Sequence, residues 1–517
     1  MEHMKDGNTA TSITTSLNLR SLHQDSDESD SLHASSSSEM ISSSMEETKS
    51  HKSVASNDSN NLINRNTRLD GDHSFMEEQS EDEKSLTFDE EDFPEGGLRA
   101  WLVTFGCFCG LIPIFGIVNI TSVIEESIQE NQLSSYSSSS IGWIFSLFIF
   151  ICFSFGIFSG TYFDRNGFKK VVAVGTVIHV GGIFAMANCT QFWHFILSYS
   201  IACGIGSGIA LSPLISCPAH YFKRRRGTAT ACSTLGGSIG GAILPIILRK
   251  MFALKSDTNK LYGFIWGIRV LGFIHLFLLT LAVIFGKERL PNVIDPPKDN
   301  SIKAKLEHVY KVYLLNSFDA KGFTDMKYLF CVLGTALGEL SLTSVTTYFS
   351  SYALTRGVTQ ADSYNLIMVM NLCGIPGRWL PGRLSDSFGR FNVAIATLVA
   401  LSIVMLVGWL PFGRDLKSLY VIAAFYGFCS GSIFSLLPVC CGQISKTEEF
   451  GKRYSTMYFI VSFTALFGIP VAGAIIHNAT HADYEHYIIY CSIGTLAAAM
   501  SFFASRSFAV GFKWKKF

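Results

Sequence analysis

The chain carries little charge for its length and lacks the patterns that put charge to chemical use. Charged residues are 16% of its 517 positions against 48% hydrophobic ones, with Lys+Arg and Asp+Glu equal at 41 each. There is no Gly-x4-Gly-Lys-Ser/Thr phosphate loop, which leaves ATP-driven transport without a motor. All 13 cysteines follow position 106, with no CxxC pair and no metal-ligand spacing. They fit small residues of membrane helices better than a disulfide or zinc framework. No nucleophile elbow or His/Cys/carboxylate cluster appears, so no enzyme class, cofactor or metal is expected. No basic-then-apolar signal peptide opens the chain, and the first spanning helix is expected to act as the targeting signal.

What is present is apolar length, in duplicate. Twelve apolar runs between positions 98 and 508 are each long enough to cross a bilayer, which takes about 20 helical residues. Gly160-Thr-Tyr-Phe-Asp164-Arg165-Asn-Gly167 closes the second run, and Gly382-Arg-Leu-Ser-Asp386-Ser-Phe-Gly389 closes the eighth. Both read Gly-x3-Asp-x2-Gly, offset by 382 − 160 = 222 positions. Gly204-Ile-Gly-Ser-Gly208 and Gly427-Phe-Cys-Ser-Gly431 repeat at 427 − 204 = 223. Two pairs at nearly one period indicate a duplicated membrane unit, the build of a secondary transporter. The predicted fold class is an all-α membrane protein with twelve transmembrane helices in two six-helix repeats.

Five segments are expected: a tail over 1–92, a six-helix bundle over 93–286, a connector over 287–327, a second bundle over 328–508, and a short tail over 509–517. The first tail is Ser-rich (Ser35 to Ser38) and ends acidic (Asp89-Glu-Glu-Asp92). It has too few apolar residues to offset ordering entropy, so disorder is predicted. It either solvates only, or is phosphorylated on serine and ubiquitinated at Lys5, Lys49, Lys52 or Lys84. With both termini inside, Lys and Arg favour the inner loops by about three to one, which sets a cytoplasmic orientation for both ends. The outer loop from Arg249 to Lys260 runs against that count. Asn478-Ala-Thr480 falls in an outer loop as a glycosylation acceptor.

Some ionisable residues lie inside spans, where a charge costs several kcal/mol unless it faces a cavity or a partner. They are His179, Arg269, Glu339 and Arg378. Arg269 reads as a structural ion, and His179 and His275 as packing histidines. Asp164 and Asp386 sit at inner helix ends. There a carboxylate can accept from a neighbouring helix N-terminus, pair with Arg165 or Arg390, or simply form a solvated turn. The first two arrangements would make a gate. Glycines at 204, 206, 208, 236, 237, 240 and 241 provide small faces for close helix approach, sliding or static.

Three segments carry a family resemblance. Pro94-Glu-Gly-Gly-Leu-Arg-Ala-Trp101, Tyr221-Phe-Lys-Arg-Arg-Arg-Gly-Thr-Ala229 and the Gly-x3-Asp-Arg-x-Gly loop resemble the fungal monocarboxylate-porter-like branch of the major facilitator superfamily. Gly374-Ile-Pro-Gly-Arg378, Leu437-Pro-Val-Cys-Cys-Gly-Gln-Ile-Ser445 and Gly511-Phe-Lys-Trp514 look like its vitamin B2-carrying members. The resemblance implies import of riboflavin across the plasma membrane, with helices one, four, seven and ten lining the path. It places Glu339 there, to bind a proton or a polar ligand group unless it is a buried pair with an arginine. Asn119, Asn371 and Arg378 join it as candidate substrate-path residues. Monocarboxylate carriers use a first-helix lysine and a helix-eight aspartate; here those positions align with Asn119 and Gly374. That departure implies a solute of little charge and facilitated diffusion. The alternatives are a proton-coupled monocarboxylate carrier and a nutrient sensor that no longer transports.

Overall fold

The computed structural model describes residues 93–256, 260–290, 301–477, 480–513 and 515–517. The 1–92 tail, with its modification sites, and Asn478 lie outside the described residues. The described chain is a set of long helices, and twelve of them correspond in position to the twelve apolar runs. In the first half they are α1 (Gly97–Asn119), α2 (Ser138–Asn166), α3 (Phe168–Met186), α4 (Phe192–His220), α5 (Arg226–Phe252) and α6 (Tyr262–Phe285). In the second they are α7 (Met326–Thr355), α8 (Gln360–Phe388), α9 (Arg390–Phe412), α10 (Leu416–Gln443), α11 (Phe450–Ile475) and α12 (His481–Val510).

Eleven of the twelve are apolar enough along their length to be membrane spans on composition alone; α8 is the exception. It carries Asn365, Asn371, Arg378, Pro376 and Pro381 within its 29 residues. Such a helix is tolerated at bilayer depth only where its polar face meets protein or a cavity. The contacts satisfy that condition: α8 packs on α10 within its own half and on α5 of the other half. The repeat-related pair, α2 and α11, forms the second seam between the halves. The seams therefore exchange under the repeat, α2 with α8 and α5 with α11.

Small residues set how closely the helices approach. A side chain on Gly208 would meet the Cys152 carbonyl of α2 at 2.2 Å, and one on Gly236 the Phe108 carbonyl of α1 at 2.4 Å. One on Gly377 would meet the Phe428 carbonyl of α10 at 2.2 Å. These glycines pack within their own half, so they fit static packing better than a sliding surface. Gly241 differs, because it faces Asn119 and, across the seam, Asn371. Backbone atoms cannot yield as a flexible side chain can. Gly377→Val is therefore expected to separate α8 from α10 and reduce folded protein in the membrane several-fold, as measured by detergent-resistant monodisperse yield. A yield equal to that of the native chain would refute this packing account.

Candidate functional site: a path latched at both ends

The two Gly-x3-Asp-x2-Gly motifs occupy equivalent places, and each residue type in them has a use. Asp164, at the end of α2, accepts from the backbone N–H of Gly451 at 3.0 Å and of Lys452 at 2.7 Å, in the first turn of α11. Asp386, at the end of α8, accepts from the N–H of Gly227 and of Thr228, both at 2.8 Å, in the first turn of α5. The Thr228 hydroxyl donates to it as well, at 2.7 Å. Each carboxylate thus crosses from one half to a helix N-terminus of the other, where free N–H groups and the helix dipole favour an anion. The first glycine lets the helices close: a side chain on Gly160 would lie 2.2 Å from the Gly451 carbonyl, and one on Gly382 would lie 2.4 Å from the Ala231 side chain and 3.0 Å from the Gly227 carbonyl. The last glycine ends the helix with positive φ, +86° at Gly167 and +99° at Gly389.

The carboxylates are seated on helix N-termini. Arg390 donates to the side chain of Gln443 and to the carbonyl of Lys223, which also joins the halves. Arg165 lies half-buried in the last turn of α2. Arg226, at the start of α5, is buried and donates across the seam to the Gly442 carbonyl at 2.6 Å and the Thr447 hydroxyl at 3.0 Å.

Deeper along the seam, the Nε of Arg378 (α8) donates to the Ser238 hydroxyl (α5) at 2.8 Å. Its guanidinium stands 5.2 Å from the Phe434 ring centre, and its buried Nη1 has no partner. Gly374 makes this contact possible, because a side chain there would sit 3.0 Å from the Ser238 hydroxyl. Glu339 is buried and takes a hydrogen bond from Tyr458 at 3.0 Å; it forms no ion pair with Arg378 among the described residues. Tyr454 stacks near Tyr458 with ring centres 4.6 Å apart, and the buried hydroxyls of Tyr454 and Tyr426 lack partners. Buried polar atoms left unpaired are costly in a static core and mark a place where a ligand can complete them. Tyr454 and Tyr458 did not stand out in the sequence, although their i, i+4 spacing puts them on one face of α11. Elsewhere, His179 pairs with Ser207 and His275, each at 2.9 Å, inside the first half, and Arg269 reaches Asn188 at 3.3 Å.

Toward the other end, Asn119 and Asn371 each spend their amide N–H on the carbonyl one turn back and meet over Gly241. Above them lies a cavity of about 60 Å³ lined by Asn119, Ser122, Gly241, Arg249, Tyr364 and Asn365. A pocket for a drug-sized ligand takes about 300–1,000 Å³, so this space is closed to one. Its roof is a cross-half contact. The Arg249 guanidinium (α5) lies 3.5 Å from the Tyr364 ring centre (α8), and the Tyr364 hydroxyl donates to Glu126 on the short helix Thr121–Glu130. The cation that disagrees with the loop-charge count is thereby a closing contact of the path. Beside it, burial pushes the half-buried Glu125 carboxyl up to about 7, with Tyr348 and Tyr199 within its electrostatic reach.

The helical architecture matches known proteins. The profile of the Major Facilitator Superfamily matches residues 102–413 and 379–513. The chain belongs to the Major Facilitator Superfamily. It is a multi-pass membrane transporter built of two six-helix repeats. Among its relatives, the Riboflavin transporter MCH5 of Saccharomyces cerevisiae is 59% identical over 88% of both chains. MFS-type transporter 1 of an Ophiocordyceps species is 31% identical over 81% of this chain and 88% of its own. In fold, it is similar to the proton:xylose symporter XylE, with TM-score 0.62, 14% identity and coverage of 81% of this chain and 97% of that one. The human organic anion transporter MFSD10 gives TM-score 0.60 at 15% identity, covering 79% of this chain and all of that one.

Opening this end of the molecule requires breaking these crossing bonds, which gives a direct test of a gating role. Asp164→Asn and Asp386→Asn each remove one charge-assisted set of bonds, every bond worth about 1.5–3 kcal/mol. Each is expected to slow initial uptake at normal surface abundance by roughly three- to tenfold without unfolding the chain. Wild-type rates in both would return these residues to plain turns. A second expectation concerns Glu125. A carboxyl raised from 4.5 to about 7 by burial favours the closed form below pH 4.5, and this support is lost as pH rises toward 7. Uptake should therefore increase about two- to fivefold between pH 5 and 7 on the Glu125 side, level off above, and flatten in Glu125→Gln. An unchanged pH profile in that variant would exclude the role.

Proposed function

We propose that this chain imports riboflavin across the plasma membrane by alternating access, with its latch end and both termini in the cytoplasm. The observation that carries the substrate is the 59% identity to the yeast Riboflavin transporter over 88% of both chains. The path chemistry agrees with it. Asn119, a neutral amide, stands where an anion carrier would place its lysine, and Gly374, where such a carrier would place an aspartate, gives its space to the Ser238–Arg378 contact. Tyr454, Tyr458 and Tyr426 offer ring faces and hydroxyls, and the unpartnered Nη1 of Arg378 offers a donor. A planar ring system with polar edges uses both.

In the cycle we infer, opening the Arg249–Tyr364–Glu126 roof admits the solute while Asp164 and Asp386 hold the cytoplasmic end. Binding in the path then draws the halves together outside and releases the latches inside. Glu339 is the remaining candidate for a proton site, but its carboxylate is occupied by Tyr458, and Gly374 stands where the helix-eight carboxylate of a proton-coupled carrier would be. We therefore infer facilitated diffusion, with accumulation left to trapping inside the cell.

The deciding experiment is uptake of labelled riboflavin in cells unable to synthesise flavin, with and without this chain, at fixed external pH and with or without a protonophore. A gain in uptake that a protonophore hardly changes is expected. No gain, with the protein shown at the surface, would refute the substrate. A several-fold collapse under protonophore that Glu339→Gln abolishes would assign coupling to Glu339.

A further inference from the structure

The strap leading into α1, Phe93-Pro-Glu95-Gly-Gly97, is bound to the same loop that Asp386 reaches. The Glu95 carboxylate accepts from the N–H of Lys223 at 2.7 Å, of Arg224, and of Arg225 at 2.9 Å. Its own N–H donates to the Tyr221 carbonyl at 3.1 Å. Phe93 is buried beneath the loop, with Lys223 at 5.5 Å and Arg289 at 5.6 Å from its ring centre. Among the described residues, Glu95 is the one non-glycine with positive φ, at +52°. That conformation costs on the order of 1 kcal/mol or more and persists only where surrounding contacts impose it. Of the six residues 223–228, five thus give their N–H to two carboxylates. Glu95 comes from the same half and Asp386 from the other.

The second half repeats the arrangement. Asp319 precedes α7 as Glu95 precedes α1, at 319 − 95 = 224 positions. The docking residues share that offset: Gly451 with Gly227, 451 − 227 = 224, and Lys452 with Thr228, 452 − 228 = 224. Asp319 accepts from the Nε of Arg453 at 3.2 Å, next to the Lys452 N–H that Asp164 takes. Its backbone N–H donates to the Thr456 hydroxyl at 3.1 Å, and the Tyr328 hydroxyl donates to the Arg453 carbonyl at 2.7 Å. In both halves an acid ahead of the first helix grips the start of the fifth.

We propose that Glu95 and Asp319 are a second, repeat-related pair of gating residues. They stay bound to their own half throughout the cycle and keep the first turns of α5 and α11 shaped to receive Asp386 and Asp164. The physical gain is preorganisation: a carboxylate returning to donors already aligned need not order a loop on arrival. Glu95 bears the larger share. It holds three backbone donors of the docking loop and offsets the mutual repulsion of Lys223, Arg224, Arg225 and Arg226, whereas Asp319 holds the Arg453 side chain there and otherwise accepts from Gly322 in its own loop. Both are positioning residues, acting through the crossing carboxylates.

The test uses the full chain in membranes. Glu95→Gln is compared with Glu95→Asp and Asp319→Asn, alone and combined with Asp386→Asn. At matched surface abundance, Glu95→Gln should lower the maximal uptake rate by roughly three- to tenfold, with the half-saturating concentration within about twofold. Glu95→Asp should recover part of the rate. In the Asp386→Asn background, Glu95→Gln should add less than about twofold, because both changes disable one docking event. A substrate-free readout accompanies it: in vesicles with the latch end exposed, trypsin should cut within Lys223–Arg226 several-fold faster in Glu95→Gln and at the native rate in Asp319→Asn. Cleavage unchanged by Glu95→Gln, or fully additive rate losses with Asp386→Asn, would overturn the proposal. Failure of riboflavin uptake by the native chain would refute the substrate alone, since the cleavage comparison needs no solute.

Discussion

A carboxylate seated on the N-terminus of a helix from the opposite half is the contact on which the rest of this structure depends. It is made twice, by Asp164 on α11 and by Asp386 on α5. Each set contains two or three charge-assisted bonds, individually worth about 1.5–3 kcal/mol, in a partly buried setting at one end of the seams. That is enough to hold the halves closed and small enough for solute binding at the centre to reverse, since a ligand shifts an equilibrium only by its differential affinity. A stronger join, such as a buried apolar seam, would hold the transporter shut. A lone surface ion pair, worth about 0–1 kcal/mol, would not hold it.

The same arrangement explains why the path is polar in the middle and narrow in this conformation. The latches are engaged at one end, and at the other Arg249, Tyr364 and Glu126 are in contact over a cavity of only about 60 Å³. Arg378, Tyr454 and Tyr426 each keep a buried polar atom without a hydrogen-bond partner. Hydrogen-bonding groups left this way in a buried place raise the energy of the empty closed form and so favour a solute that completes them.

Much of this was legible in the sequence, because the strongest signals were periodic. Apolar runs of bilayer length mark the helices, and Gly-x3-Asp-x2-Gly at a 222-residue offset marks two equivalent helix ends whose carboxylates cross to the other half. Composition alone fails at α8, whose Asn371 and Arg378 lower its apolar character because they face the seam and not lipid. What the sequence did not disclose was partnership across distance. Arg249 reads from sequence as a loop cation against the inside-positive bias, and its partner Tyr364 lies 115 positions on (364 − 249 = 115). Tyr458 gave no hint of Glu339, and Glu95 sat in a motif with no evident use until its carboxylate appeared on the 223–225 backbone. A local pattern shows what a residue can do, and only the packing shows what it meets.

The central claim is that the crossing carboxylates hold one end of the transporter shut and release it during transport. It is tested most directly by a pulsed electron–electron distance between spin labels on the exposed positions 169 and 446, introduced as Lys169→Cys and Lys446→Cys. These residues flank the end of α2 and the start of α11. The account predicts a short-distance population in the native chain that gives way to a longer one in the Asp164→Asn, Asp386→Asn double variant. A distance distribution identical in the two proteins would contradict it.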